Sequence, residues 1–173
     1  MKTYLRLLAV VAVFVLAPSS VHAQTTASQT YTVVVPTSVS ITAPAAASLT
    51  HDETNNPQAF PAQTWVVRGN SMTGMNVSFT SDSFTHTTTP TFKRNSRLNL
   101  VVGTTQGPAS WTVGVPTSTS SFLTSTPATV TATSTGVGRA NLNLVVSFLT
   151  EEYGTFASGS YIATVVGTVA ANP

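Results

Sequence analysis

Beyond its first 23 residues the chain offers few side chains with which to do chemistry: His51 and His86, the carboxylates Asp52, Glu53, Asp82, Glu151 and Glu152, and the basic cluster Lys93, Arg94 and Arg97. Hydrolysis by a Ser or Thr nucleophile needs a base beside the hydroxyl and a group that orients the base. Neither histidine lies in a recognisable nucleophile motif. His51-Asp52-Glu53 is the densest set of metal-ligand types. Adjacent residues on an extended chain point to opposite sides, however, and structural zinc usually takes four Cys or His ligands. The preferred reading of that triplet is a solvated loop ahead of Asn55-Asn56-Pro57. Glu151-Glu152 would need a third carboxylate across a cleft to act on a glycosidic bond, so the pair reads as decoration of the turn before Tyr153-Gly154. The glycines lack the spacing of a phosphate-cradling loop, and the absence of cysteine removes thiolate chemistry and disulfides together. A non-enzymatic protein with no cofactor and no metal is therefore expected. Lys93, Arg94 and Arg97 remain as candidate contacts for an anionic polysaccharide or phosphate. A solvated hairpin loop that guards a strand edge is the preferred alternative for them.

The elements that must carry these groups begin with an address. Lys2 and Arg6 precede an unbroken apolar run from Leu7 to Leu16, Pro18 breaks it, and Val21-His22-Ala23 places small residues at −3 and −1 of a cleavage point. Residues 1–23 read as a signal peptide cut between Ala23 and Gln24. The run is too short for a permanent membrane span, which leaves a secreted, cell-surface or periplasmic product with no span after removal of the leader. Of the 7 basic residues two lie in this leader, so five face the five acidic ones and the mature chain is neutral. The alkaline character of the precursor thus gives no support for a nucleic-acid partner. Charged residues are only 7% of the chain, and Thr and Ser must supply its solubility.

About 150 mature residues suit one domain, 24–173. Apolar residues recur with period two almost throughout, the mark of strands with one dry face. Tyr31, Val33 and Val35 share a face in Thr30–Val35, and Pro36 ends that run. Val39 and Ile41 follow, then a long connection over Ala43–Pro61. Further strands are expected around Trp65 and Val67, Met75 to Phe79, Leu98 to Val102, Trp111 to Val115, Leu142 to Phe148, and Tyr161 to Val169. Ala128–Ser134, rich in Thr, is expected at a sheet edge. Asn76-Val77-Ser78 matches a glycosylation acceptor, but its alternation places it inside a strand. Thr117–Thr126 reads as a polar loop. Trp65 and Trp111 have inward phase, so core packing is the preferred role for each. About eight strands separated by Gly, Pro and Asn turns predict an all-β antiparallel sandwich.

Tyr31-Thr-Val-Val-Val-Pro-Thr-Ser38 and Trp111-Thr-Val-Gly-Val-Pro-Thr-Ser118 agree at six of eight positions. The match does not continue beyond Ser40 and Ser120, so it reads as recurring strand vocabulary, not as a repeat unit. The run from Gly159 to Val169, with a Gly-x-Tyr turn entering alternating Val and Thr, resembles the closing strand of bacterial fimbrial subunits and spore-coat-type surface proteins. The resemblance covers about the last 30 residues, with a looser echo in Thr30–Val35. It implies an immunoglobulin-like sandwich, residues 24–35 as an exchangeable strand that completes a neighbour's sheet, and no catalytic residue. The expected function is an exported structural or adhesive surface component, associating with itself or with other surface proteins. The second class is a carbohydrate-binding module that uses Trp65, Trp111 or Tyr153 on a glycan.

Overall fold

A computed structural model describes residues 25–173, so the expected leader and the cleavage point between Ala23 and Gln24 lie outside the described residues. The chain divides into two units at Val34 and Val35. In the first, residues 25–34 form neither helix nor strand, and Tyr31 and Val33 are exposed. The alternation over Thr30–Val35 predicted a strand that this chain does not form. A strand exists only with a ladder partner, and alternation by itself does not supply one.

The second unit is built entirely from antiparallel strands, with no helix among the described residues. In chain order they are β1 (Val39–Thr42), β2 (Gln58–Ala59), β3 (Gln63–Gly69), β4 (Met75–Ser81), β5 (Phe84–His86), β6 (Lys93–Arg94) and β7 (Ser96–Gln106). They continue as β8 (Trp111–Val115), β9 (Thr117–Thr119), β10 (Ala128–Ser134), β11 (Gly138–Phe148), β12 (Tyr161–Ile162) and β13 (Val165–Ala171). One sheet has the order β1-β3-β11-β7-β9, with β2 added to the far end of β11; a second runs β13-β4-β10-β8; a small third runs β12-β5-β6.

The two large sheets share one core. Trp65 and Val67 of β3, Leu98 and Leu100 of β7 and Ala140, Leu142 and Leu144 of β11 meet Met75, Val77 and Phe79 of β4 and Val130 and Ala132 of β10. Each contributes every second residue of its strand, as the period-two pattern requires. This is the layered arrangement of a β-sandwich. Trp65 is 8% exposed and meets Phe79 edge to face, with centroids 5.1 Å apart. Gly167 of β13 passes directly over this pair; a Cβ there would lie 2.8 Å from Trp65 Cζ3 and 3.1 Å from Phe79 Cε1. The absence of a side chain is what lets β13 close over the indole.

Three expectations change. β10 is not an edge strand: it lies between β4 and β8 and pairs with both, with Ala128, Val130, Ala132 and Ser134 facing inward. Residues Lys93 and Arg94 form β6 rather than a solvated loop, since Thr85 and Phe84 of β5 supply a ladder for them. The closing run splits at Ala163-Thr164, with Tyr161 and Ile162 pairing with β5 and Val165–Ala171 pairing with β4. Pro116 explains a further division. It stands between β8 in the second sheet and β9 in the first, and accepts the Leu100 N–H at 2.8 Å, so one extended segment closes that side of the sandwich by changing sheets.

Candidate functional site

At one end of the sandwich the chain collects its aromatic side chains. Phe148, the last residue of β11, lies within 6 Å, centroid to centroid, of His51, Phe84, Phe156 and Tyr161. Phe60 stacks on Phe84 at 6.1 Å, and His86 meets Tyr161 at 5.0 Å. Pairs at these separations and tilted angles favour the ring quadrupoles as well as burying area. All of these rings except that of His86 line a groove of about 710 Å³, between the segments 47–50 and 156–162.

Two loops hold the groove's rim, residues 50–58 and 150–157. Thr150, fully buried, joins them. The Glu53 N–H donates to His51 Nδ1 at 2.9 Å, which assigns the ring proton to Nε2. Nε2 then donates to Thr150 Oγ1 at 2.8 Å, and the Thr150 hydroxyl donates to the Asn56 carbonyl at 2.8 Å. The Tyr153 N–H donates to Asn55 Oδ1 at 2.8 Å, a second tie between the loops. With its imidazole so fixed, His51 stacks on the Tyr153 ring at 5.4 Å and 17°. Tyr153 is nonetheless 43% exposed. Behind Tyr161, His86 is held in the same sense: Nδ1 accepts the Thr89 N–H at 2.9 Å, and Nε2 donates to the Ser158 carbonyl at 3.1 Å. Gly159, at φ 137, lies flat against that ring, where any Cβ would collide with His86 Nε2.

Asp52 fixes the first loop from outside. Its Oδ1 accepts from the Thr54 hydroxyl at 2.7 Å, the Thr54 N–H at 3.0 Å and Gln58 Nε2 at 2.6 Å. The carboxyl is held below its ordinary range, first by the Thr54 hydroxyl and the Thr54 N–H, then, against some desolvation, by Gln58 and His51. What this carboxylate adds to loop stability is complete above the unfolded Asp value of about 3.9. It is lost as pH falls through the lower folded value. An NMR titration should place the Asp52 midpoint below that of a peptide spanning residues 50–58; coincident midpoints would refute the clamp. Tyr161 moves the other way, its phenol pushed up by burial despite the neighbouring Arg94 and its own bond to the Ala157 carbonyl.

The basic cluster does not converge. Lys93 and Arg94 are neighbours on β6 and point apart. Arg94 lies over the Phe156 ring, 4.5 Å from its centroid, and donates to Thr155 Oγ1 at 2.8 Å, so it buttresses the aromatic cluster. Lys93 lines a separate polar recess of about 260 Å³ with Asp82, Ser83 and Ser121. Arg97 alternates with buried Ser96 and Leu98 and so stands on the other face of β7. Among the described residues no group of three His or carboxylate side chains is arranged to hold a metal ion.

Compared with known protein families, with characterised proteins and with solved structures, the chain matches none. Its site must therefore be judged on geometry. Of the three aromatics weighed for sugar stacking, Trp65 is buried in the core, Trp111 packs on it from β8, and Tyr153 is presented at the rim. His51, expected in a solvated loop, is instead the backing of that ring. Sequence reasoning missed Phe60, Phe84, Phe156 and His86 as one cluster. A local signal exists for part of it: Phe148, Tyr153, Phe156 and Tyr161 follow at intervals of three to five residues, unlike the two-residue rhythm elsewhere.

Proposed function

We propose that this protein is an exported structural or adhesive surface component, without catalytic activity, whose segment 24–35 completes a sheet in a neighbouring copy. The observation that carries the reading is that Tyr31, Val33 and Val35 alternate as a strand does and yet stand exposed outside any strand, in a segment that shares strand vocabulary with Trp111–Ser118 at six of eight positions. In the second of these segments Trp111 and Val113 pack against the core from an edge strand, and Pro116 passes the chain on to the other sheet. Tyr31 and Val33 hold the corresponding positions and are exposed.

Part of the strand order supports an immunoglobulin-like reading: β1-β3-β11-β7 follows A-B-E-D and β4 with β13 follows C and F, whereas β10 and β8, beside β4 but between D and E in the chain, have no counterpart there. The position beside F belongs to strand G, and β13 has only β4 as ladder partner among the described residues. An added antiparallel strand would place its last residue beside Val165. Val39, however, pairs with Gly69 at the end of the sandwich where Ala171 pairs with Met75. Seven residues of β13 span about 20 Å, and the four residues from Val35 to Val39 reach at most about 14 Å. The open edge is therefore better served by another copy's segment than by the chain's own, a head-to-tail contact that can propagate.

Light scattering on the mature protein, intact and lacking residues 24–35, tests this. Concentration-dependent oligomers that vanish on deletion are expected, together with a raised melting temperature when the synthetic 24–35 peptide is added to the truncated protein. A strictly monomeric mature protein, with stability unchanged by the deletion, would overturn the proposal.

A further inference from the structure

We infer that the aromatic groove is a binding site for a glycan bearing free amino groups. A volume of about 710 Å³ lies within the range of small-ligand sites. Its lining of rings suits the apolar faces of sugar rings, which pack on aromatic side chains while their hydroxyls stay in water.

Tyr153 is the platform. An aromatic ring needed only for packing would be covered, yet this one is 43% exposed while its backbone and its partner ring are both fixed, by Asn55 and by the His51-Thr150-Asn56 chain of hydrogen bonds. A ring held in place before ligand arrives loses little freedom on binding. Charge then selects the class of glycan. Glu53 is the carboxylate that lines the groove; Asp52, Glu151 and Glu152 stand in the same two loops but outside its lining. Arg94, the nearest cation, is turned onto Phe156 and Thr155. Glu53 and Glu151 also hold left-handed backbone, φ 61 and φ 60, a conformation that Gly or Asn adopts more readily. An ammonium group on a stacked sugar gains from both the ring faces and the Glu53 carboxylate.

The reading goes beyond the proposed assembly and fails separately from it, since oligomerisation is measured with no sugar present. The test is calorimetric titration of the full mature protein with short glucosamine oligomers, their N-acetylated counterparts and glucose oligomers of equal length. Glucosamine oligomers should bind, more weakly as salt is raised. Tyr153→Ala should weaken binding about tenfold or more, and Tyr153→Trp should retain it. Glu53→Gln should reduce the preference over acetylated oligomers by about tenfold. In the unaltered protein, NMR shifts on adding the oligomer should fall on Tyr153, Glu53 and Phe156, which keeps the test independent of the folding of any variant. Absence of heat with glucosamine oligomers, equal or tighter binding of acetylated or glucose oligomers, or shifts confined elsewhere would each overturn it.

Discussion

Phe79→Ala is expected to lower the free energy of unfolding by about 3–5 kcal/mol, the cost of removing a large ring from a closed interior. Phe79 has no exposed surface, and it lies where both sheets and β13 meet: Trp65 packs on its edge, and Gly167 passes against it. The cavity cannot be filled by collapse of β13, because Gly167 has no side chain to offer and the strand's register is fixed by seven paired residues along β4. Urea unfolding followed by tryptophan fluorescence measures the change. Trp65 is the nearer reporter and should redden even in the folded variant. A loss below about 1 kcal/mol, the ordinary scale of a surface substitution, would mean that the sheets do not pack as described.

Phe148→Ala is expected to cost about 3 kcal/mol, with a different consequence. Phe148 is only slightly exposed and touches four rings drawn from the two rim loops, β5 and β12. Its removal should free the loops at 50–58 and 150–157 as well as destabilise the fold. Amide exchange should then accelerate at Glu53 and Tyr153, whose N–H groups are held by the loop network, more than at Leu142 or Val130 in the core. Uniform acceleration across all four would show that the aromatic end is not a separate cooperative piece. Tyr153→Ala makes the contrast, since truncating an exposed platform should cost less than about 1 kcal/mol.

These two phenylalanines also mark how legible the molecule was before folding. Phe79 belongs to Met75, Val77 and Phe79, and its burial follows from alternation within seven residues. The same rule anticipates Trp65 beside Val67 and Leu142 beside Leu144. Phe148 ends such a run, and Tyr153, Phe156 and Tyr161 follow it closely, but nothing local says that Phe60, Phe84 and His86 will join them. The cluster draws on three separate stretches of chain, and their meeting depends on how strand ends and connections are stacked. His51 shows the same limit from the polar side. As one residue of His51-Asp52-Glu53 it looked solvated, and only the buried hydroxyl of Thr150, 99 positions away, gives its imidazole a fixed orientation.

Sequence alone therefore determined the all-β class, the inward face of nearly every long strand, the freedom from disulfides and the neutrality of the chain beyond residue 23, because each depends on composition or on side-chain alternation between neighbours. Tertiary structure decided that β10 is central, that Pro116 carries one strand across two sheets, that Lys93 and Arg94 part company, and that a ring of aromatics opens into a groove. The physical reason is range. Alternation is a property of adjacent peptide units, whereas strand order and the convergence of loops are set by contacts between segments far apart in the chain, where the same two-residue pattern is compatible with many pairings.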